Sequence, residues 1–200
     1  MNDAGSVAEK DALRRRVRHE RGAEPPSVRA DRARRLAGHV DAVLAIAGSG
    51  LAGFQPTNDE PDISLLLRAV LPDVLVVLPR VVGDDLEWVR ASDDDLVAGL
   101  TGIPEPAGTA IATGAGIVHL GVGAILVPAL AVDPATGFRV GYGRGFYDRL
   151  LAGVRAFPAA PVAVGVCRDT DLTSVPSEPH DEPVDAVLTE SGLITVGPHP

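Results

Sequence analysis

Short apolar runs without polar interruption recur along this sequence, and they limit its fold more than any other feature. Val74–Leu78, Val122–Val127 and Val162–Val166 are apolar from end to end. A strand with one wet face alternates polar and apolar residues. A strand that is apolar throughout is buried on both faces, as in a parallel sheet covered by helices. The stretches between the runs carry helical spacing. Leu13 and Val17 mark a helix over 7–20. A break at Gly22–Pro26 leads to a second helix from a Ser27 N-cap to about Ala47, with Leu36, Val40, Val43 and Leu44 inward. Further helices are expected over 63–71, with Asp62 as its cap, and over 146–154. Leu51–Phe54 reads as a short strand, Pro79-Arg80 as the end of the Val74 run, and Leu86–Arg90 as an outer strand. The alternation predicts a Rossmann-like open α/β layered domain, a largely parallel sheet flanked by helices. One domain over residues 1–200 is expected, with frayed ends at 1–6 and 197–200.

Composition narrows the function classes. The net charge of −9 argues against a protein that coats nucleic acid. No apolar run approaches a bilayer span, and no charged-then-apolar signal segment opens the sequence. Cys167, the one cysteine, excludes an intramolecular disulfide, suits a reducing cytoplasm, and reads as a small core hydrophobe.

The chemistry concentrates between Arg139 and Asp148. Gly141, Gly143 and Gly145 alternate just after an apolar strand and just before a helix. Such a loop turns backbone N–H groups toward an anion at a helix N-terminus. Arg139 and Arg144 add positive charge, and Asp148 supplies a carboxylate suited to a hard cation. The spacing is neither a P-loop nor the Rossmann fingerprint. Lys10 is the only lysine among eighteen basic residues, which marks it as a candidate compact point charge. Arg14 projects beside it at i, i+4, whereas Arg16 and Arg18 are expected on other faces. The turn Thr57–Asp62 leaves a strand end, where open sheets carry ligands. Trp88 either lines a ligand site or packs.

Val127-Pro-Ala-Leu-Ala-Val-Asp133 followed by Arg139-Val-Gly-Tyr-Gly-Arg-Gly-Phe-Tyr-Asp-Arg149 resembles the signature of the 5-formyltetrahydrofolate cyclo-ligases, also called methenyltetrahydrofolate synthetases. Phe146 stands where that family usually has a tyrosine. Lys10-x-x-x-Arg14, the Glu60 turn, Pro79-Arg80, Gly102-Ile-Pro-Glu-Pro106 and Pro176-Ser-Glu-Pro-His-Asp-Glu-Pro-Val-Asp185 extend the resemblance over most of the chain. The resemblance implies ATP-dependent cyclisation of 5-formyltetrahydrofolate to 5,10-methenyltetrahydrofolate, with Mg²⁺. It implies that Lys10, Arg144 and Tyr147 act in catalysis. It places ATP on Lys10, Arg14, Arg139, Gly141, Gly143, Arg144, Gly145, Phe146 and Tyr147. Folate falls to Phe54, Glu60, Tyr142 and Phe146, and the metal to Asp148 and Asp181, with Asp185 competing for the second place. His180 is a ligand, a base or a loop hydrogen-bond partner. A cytoplasmic monomer with small-molecule substrates alone is expected. A non-catalytic nucleotide- or folate-binding relative, and a sugar-phosphate isomerase or transferase on a similar scaffold, are the alternatives.

Overall fold

The apolar runs form the middle of an eight-stranded sheet. This computed structural model describes residues 3–57, 59–71, 73–91, 96–98 and 104–197. In chain order the sheet takes β1 (Gly50–Ala52), β2 (Leu75–Val82) and β3 (Asp85–Arg90). A separate two-stranded ladder of β4 (Leu96–Ala98) and β5 (Pro104–Pro106) intervenes. The chain then rejoins the sheet as β6 (Ala110–Thr113) and β7 (Val122–Pro128). A short hairpin of β8 (Ala131–Val132) and β9 (Arg139–Val140) follows. Finally β10 (Val162–Val166), β11 (Ala186–Thr189) and β12 (Gly192–Thr195) complete the sheet.

The strand order is β12-β11-β10-β7-β1-β2-β3-β6. From β11 to β2 every neighbour is parallel, while β12, β3 and β6 pair antiparallel. The parallel strands are the ones with continuous apolar sequence, because helices cover both of their faces. The chain moves from β1 to β2 on one side and later to β7 on the other. This reversal opens a crevice at the carboxyl ends of β1 and β7, where open α/β sheets bind ligands.

On one face α2 (Pro26–Ala37), α3 (Val40–Ala47) and α4 (Ser64–Val70) bury Leu36, Val43, Leu66 and Val70 against Leu51, Val76 and Leu126. On the other, α5 (Phe146–Arg155) and a 3₁₀ segment over Gly114–Leu120 bury Leu151, Val154 and Ile117 against Val77, Ile125 and Trp88. Each such aliphatic side chain contributes about 1.5–3 kcal/mol when fully buried. α1 (Asp3–Gly22) belongs to neither layer. It lays Leu13 and Val17 on the β8–β9 hairpin, with Leu130, Val140 and Val175.

Several local expectations differ from the structure. The helix expected to run from Ser27 to about Ala47 is two helices, because Gly38-His39 breaks it and its halves pack on different partners, α2 on α4 and α3 on β7. Pro26 rather than Ser27 opens α2, its fixed φ being pre-set for the first turn. β2 does not stop at Pro79-Arg80. Pro79 lies beyond the end of β1, on the side where its missing N–H needs no parallel partner, and β3 pairs the strand onward to Val82. β3 is not outermost, since β6 covers it. Helix α1 already begins at Asp3, earlier than expected. Gly102, Ile103 and the tail 198–200 lie outside the described residues.

Candidate active site

The glycine-rich stretch runs from the end of β9 into α5. Gly143 has φ +88° and Gly145 φ +67°, the left-handed region that glycine enters without strain. Gly145 is the N-cap of α5, so the loop delivers its amides to a helix start with Asp148 in the first turn. Arg139, almost fully buried, donates from Nη2 to Asp148 Oδ1 at 2.7 Å and from Nη1 to the Glu182 carbonyl. Asp148 Oδ1 also accepts the Glu182 N–H at 3.2 Å. Burial pulls the Arg139 guanidinium below its ordinary value, and the charges of Asp148 and then Asp181 oppose that pull. Arg144 is exposed and has no ion-pair partner among the described residues.

α1 closes the opposite side. Arg14 donates from Nε to the Gly141 carbonyl at 2.9 Å and from Nη1 to Asp11 at 2.5 Å. Lys10 is 3% exposed and buries its ammonium between Glu178 Oε2, at 2.7 Å, and Asp181 Oδ2. The Glu178 N–H donates to the same Asp181 oxygen at 2.6 Å. Arg18 is a correction. It does not face away, but donates to Asp59 Oδ2 at 3.1 Å and lies 5.9 Å over the Tyr142 ring. A shift of four residues from Arg14 keeps it on the cleft side of the helix.

The third wall is the turn after β1. Glu60 Oε2 accepts the Thr57 N–H at 2.8 Å, so this carboxylate both closes its turn and faces the cleft. Burial raises the Glu60 carboxyl above its ordinary range, against the Thr57 amide and the Arg21 charge. Tyr142 and Tyr147 hydroxyls are pushed up by burial and then by the Glu60 charge, so both stay protonated as O–H donors. Phe54 is buried at the end of β1, and the Arg149 guanidinium lies 5.3 Å over the Phe146 ring.

These walls enclose a cleft of about 640 Å³ at the carboxyl ends of β1, β2 and β7. Lys10, Arg14, Phe54, Glu60, Arg139, Gly141, Tyr142, Gly143, Arg144, Gly145, Phe146, Tyr147, Asp148 and Asp181 all line it. Asp185 does not; it pairs with Arg155 and accepts the Ala163 N–H. Trp88 packs, fully buried, with Nε1 donating to the Gly114 carbonyl. His180 is exposed at the rim, and its ring nitrogen shares a space 4.8 Å across with carboxylate oxygens of Glu178 and Asp181. Cys167 is buried in the core, where burial pushes its thiol up. Cleft residues to which the sequence had assigned no role are Glu178, Glu105 and Arg149. Glu178 and Glu105 were visible only as members of the Pro-x-Glu and Glu-Pro stretches, and Arg149 only as the last residue of the glycine-rich signature.

Comparison with known proteins follows this geometry. Residues 6–190 match the profile described as the 5-formyltetrahydrofolate cyclo-ligase family. A Mycolicibacterium smegmatis protein named 5-formyltetrahydrofolate cyclo-ligase is 34% identical over 96% of this chain and 99% of its own. A Saccharomyces cerevisiae protein of the same name is 34% identical over 35% of each chain. The solution structure of Aquifex aeolicus 5,10-methenyltetrahydrofolate synthetase superposes with a TM-score of 0.73 at 30% identity, over 96% of this chain and 94% of that one. A Mycoplasma pneumoniae synthetase shares the fold, with a TM-score of 0.68 at 16% identity over 90% and 97%.

Proposed function

The chain belongs to the 5-formyltetrahydrofolate cyclo-ligase family, and we propose that the cleft just described is where it carries out that family's reaction. It catalyses the ATP-dependent cyclisation of 5-formyltetrahydrofolate to 5,10-methenyltetrahydrofolate, releasing ADP and phosphate. One observation carries the assignment of the site. Every residue singled out for nucleotide, folate or metal, Asp185 alone excepted, lines the same cleft, at the switch point of the sheet.

In this reading the triphosphate lies along the glycine-rich loop, with its charge met by the N–H groups at the start of α5 and by Arg14, Arg139 and Arg144. Arg144, unpaired among the described residues, is the cation most available to it. The pterin lies against Glu60, whose carboxylate accepts two N–H groups side by side, with Tyr142, Phe146 and Phe54 as walls. The formyl oxygen attacks the γ-phosphorus and ADP leaves. N10 then adds to the activated carbon and loses its proton, and phosphate leaves as the five-membered ring gains its methenyl cation. No protein nucleophile is needed. The chain must align two substrates and neutralise phosphoryl charge, which is where catalysis of phosphoryl transfer chiefly arises. Lys10 serves as a point charge on the β- or γ-phosphate, and Tyr147 as a neutral donor.

The donor chemistry fits Mg²⁺. Asp148 and Asp181 each commit one oxygen to a cation and a backbone N–H, and neither Asp148 Oδ2 nor Asp181 Oδ1 accepts a hydrogen bond among the described residues. These oxygens would hold the ion, which would supply charge neutralisation at the phosphoryl oxygens. A cytoplasmic monomer in a single domain completes the reading. Methenyl-folate absorbance should rise when the purified chain receives 5-formyltetrahydrofolate and ATP together. No rise, or an equal rise without ATP, overturns it.

A further inference from the structure

Arg21 lies at the last turn of α1 and is 3% exposed. Its guanidinium serves acceptors on three separate segments. Nη1 donates to the Asp59 carbonyl at 2.6 Å. Nη2 donates to the carbonyls of Ala129 at 2.9 Å and Leu130 at 3.2 Å, in the link between β7 and β8. Nη2 and Nε both reach Asp171 Oδ2, at 2.7 and 3.2 Å. Asp171 is 1% exposed and is held from the other side by Arg168. None of these atoms is proposed above to touch a substrate.

The placement of Arg21 along the helix gives the network its meaning. Lys10 and Arg14 stand at the phosphate side of the cleft, and Arg21 stands about 16 Å beyond Lys10 and about 10 Å beyond Arg14 along the same helix, at 1.5 Å per residue. There it grips the carbonyl of the residue just before Glu60, in a turn closed by the Glu60 N–H donating to the Thr57 carbonyl and the Thr57 N–H donating to the Glu60 carboxylate. A planar fork serving four acceptors has little freedom to swing, unlike an ammonium. Any ligand that fixes α1 against the glycine-rich loop therefore also fixes the turn that presents Glu60, and the reverse holds equally.

We propose that Arg21 is a positioning residue that couples the two halves of the cleft, so that nucleotide and folate each tighten the binding of the other. The inference rests on the assignment of the Glu60 side to folate and the glycine-rich side to ATP. The test uses the full chain with β,γ-methylene ATP and 5-formyltetrahydrofolate, each titrated alone and with the other saturating. In the unaltered protein each ligand should lower the dissociation constant of the other by one shared factor of about tenfold, within the usual range for coupled sites. Arg21→Lys keeps a charge opposite Asp171 but cannot serve three carbonyls. It should bring that factor to about one, with nucleotide affinity measured alone within about twofold of the original. Arg168→Met removes the other cation from Asp171, and with it the longer pairs to Glu20 at 3.6 Å and Glu24 at 3.8 Å, while leaving every Arg21 bond to a carbonyl in place, so it should lower Tm yet keep the coupling. Hydrogen exchange of the unaltered chain gives a second measurement that needs no variant. The analogue alone should slow exchange at the Glu60 amide. Independent binding in the unaltered protein, coupling that survives Arg21→Lys, coupling lost equally in Arg168→Met, or an unprotected Glu60 amide each overturns the inference. Failure of the unaltered chain to bind either ligand overturns instead the site assignment beneath it, and the inference falls with it.

Discussion

Lys10→Ala separates what this side chain does for the fold from what it does for the reaction. Lys10 places Nζ between Glu178 and Asp181, with side-chain exposures of 4%, 11% and 11%. Truncating one partner of a sealed ion pair costs about 3–5 kcal/mol. These carboxylates open on a cleft that water and counter-ions can enter, so about 1–3 kcal/mol is the better expectation. The two carboxylates left behind then repel each other and become a site for a cation. At a divalent-ion concentration ten times its dissociation constant, binding returns about 1.4 kcal/mol. Added Mg²⁺ without nucleotide should therefore raise the Tm of Lys10→Ala by more than that of the unaltered protein, where the ammonium already lies between Glu178 Oε2 and Asp181 Oδ2. The kinetic effect is distinct. Loss of one oriented charge at a transferring phosphoryl group costs about 2–4 kcal/mol in transition-state stabilisation, roughly thirty- to thousand-fold in kcat/KM. Lys10→Arg should recover part of this, because a planar fork replaces a compact ammonium poorly. Arg16→Ala, at an exposed position whose one ion pair among the described residues is with Glu20 at 3.9 Å, is the control and should change neither quantity. Differential scanning fluorimetry with and without Mg²⁺ reads the first effect and the methenyl-folate assay the second. Full turnover by Lys10→Ala, with no Tm response to Mg²⁺, would refute both parts of this account.

Asp148→Asn keeps an acceptor for Arg139 but removes the charge opposite a buried guanidinium, so a stability loss of about 1.5–3 kcal/mol should accompany an activity loss of orders of magnitude; thermal melts and the activity assay report the two, and unchanged Mg²⁺ dependence would remove Asp148 from the metal site. Glu60→Gln should weaken folate binding by about 1.5–3 kcal/mol and leave nucleotide binding nearly unchanged, by calorimetric titration of each ligand. Because burial holds the Glu60 carboxyl above its ordinary 4.5, folate affinity of the unaltered protein should start to fall at a higher pH than an exposed glutamate would cause, a fall missing from Glu60→Gln. For Asp171 the sign is opposite. Burial alone would raise its carboxyl, but Arg168 and Arg21 outweigh it and hold it below the ordinary 3.8. Its contribution to stability is present above pH 3.8 and is lost as pH falls through the lowered native value, so Asp171→Asn should flatten that part of an acid titration of Tm.

What could be read from the sequence was local. The continuous apolar runs announced the buried parallel strands, because two covered faces leave no room for polar alternation. The glycine-rich stretch announced its own loop, since left-handed φ values at Gly143 and Gly145 need that residue. What stayed hidden were choices made between distant segments. β2 continues through Pro79 only because β1 has ended beside it, and no property of Pro79 reveals that. That Asp181 rather than Asp185 faces the cleft depends on how 178–185 packs on the β8–β9 hairpin.

The basic helix is the sharper case. Lys10 meets its carboxylates 168 and 171 positions away, and Arg21 meets Asp171 at a separation of 150. No local period encodes such pairs, so nothing in the charge pattern of the sequence sets Arg21 apart from the other arginines of its helix. Yet a usable signal was present. At 100° per residue, Lys10, Arg14, Val17 and Arg21 fall within about 60° of one another on the wheel. A basic face intended only for solvent has no reason to interleave a valine, and Val17 is 1% exposed. An apolar residue inside a cationic stripe means that the stripe is covered. A covered cation must then find an anion or several carbonyls, since leaving it unpaired would cost several kcal/mol. Arg21 and Lys10 meet that demand with protein groups. Arg15 and Arg16, which point elsewhere on the wheel, are exposed. The distinction between a solvated and a functional arginine thus lies in the apolar neighbour that shares its face, not in the arginine.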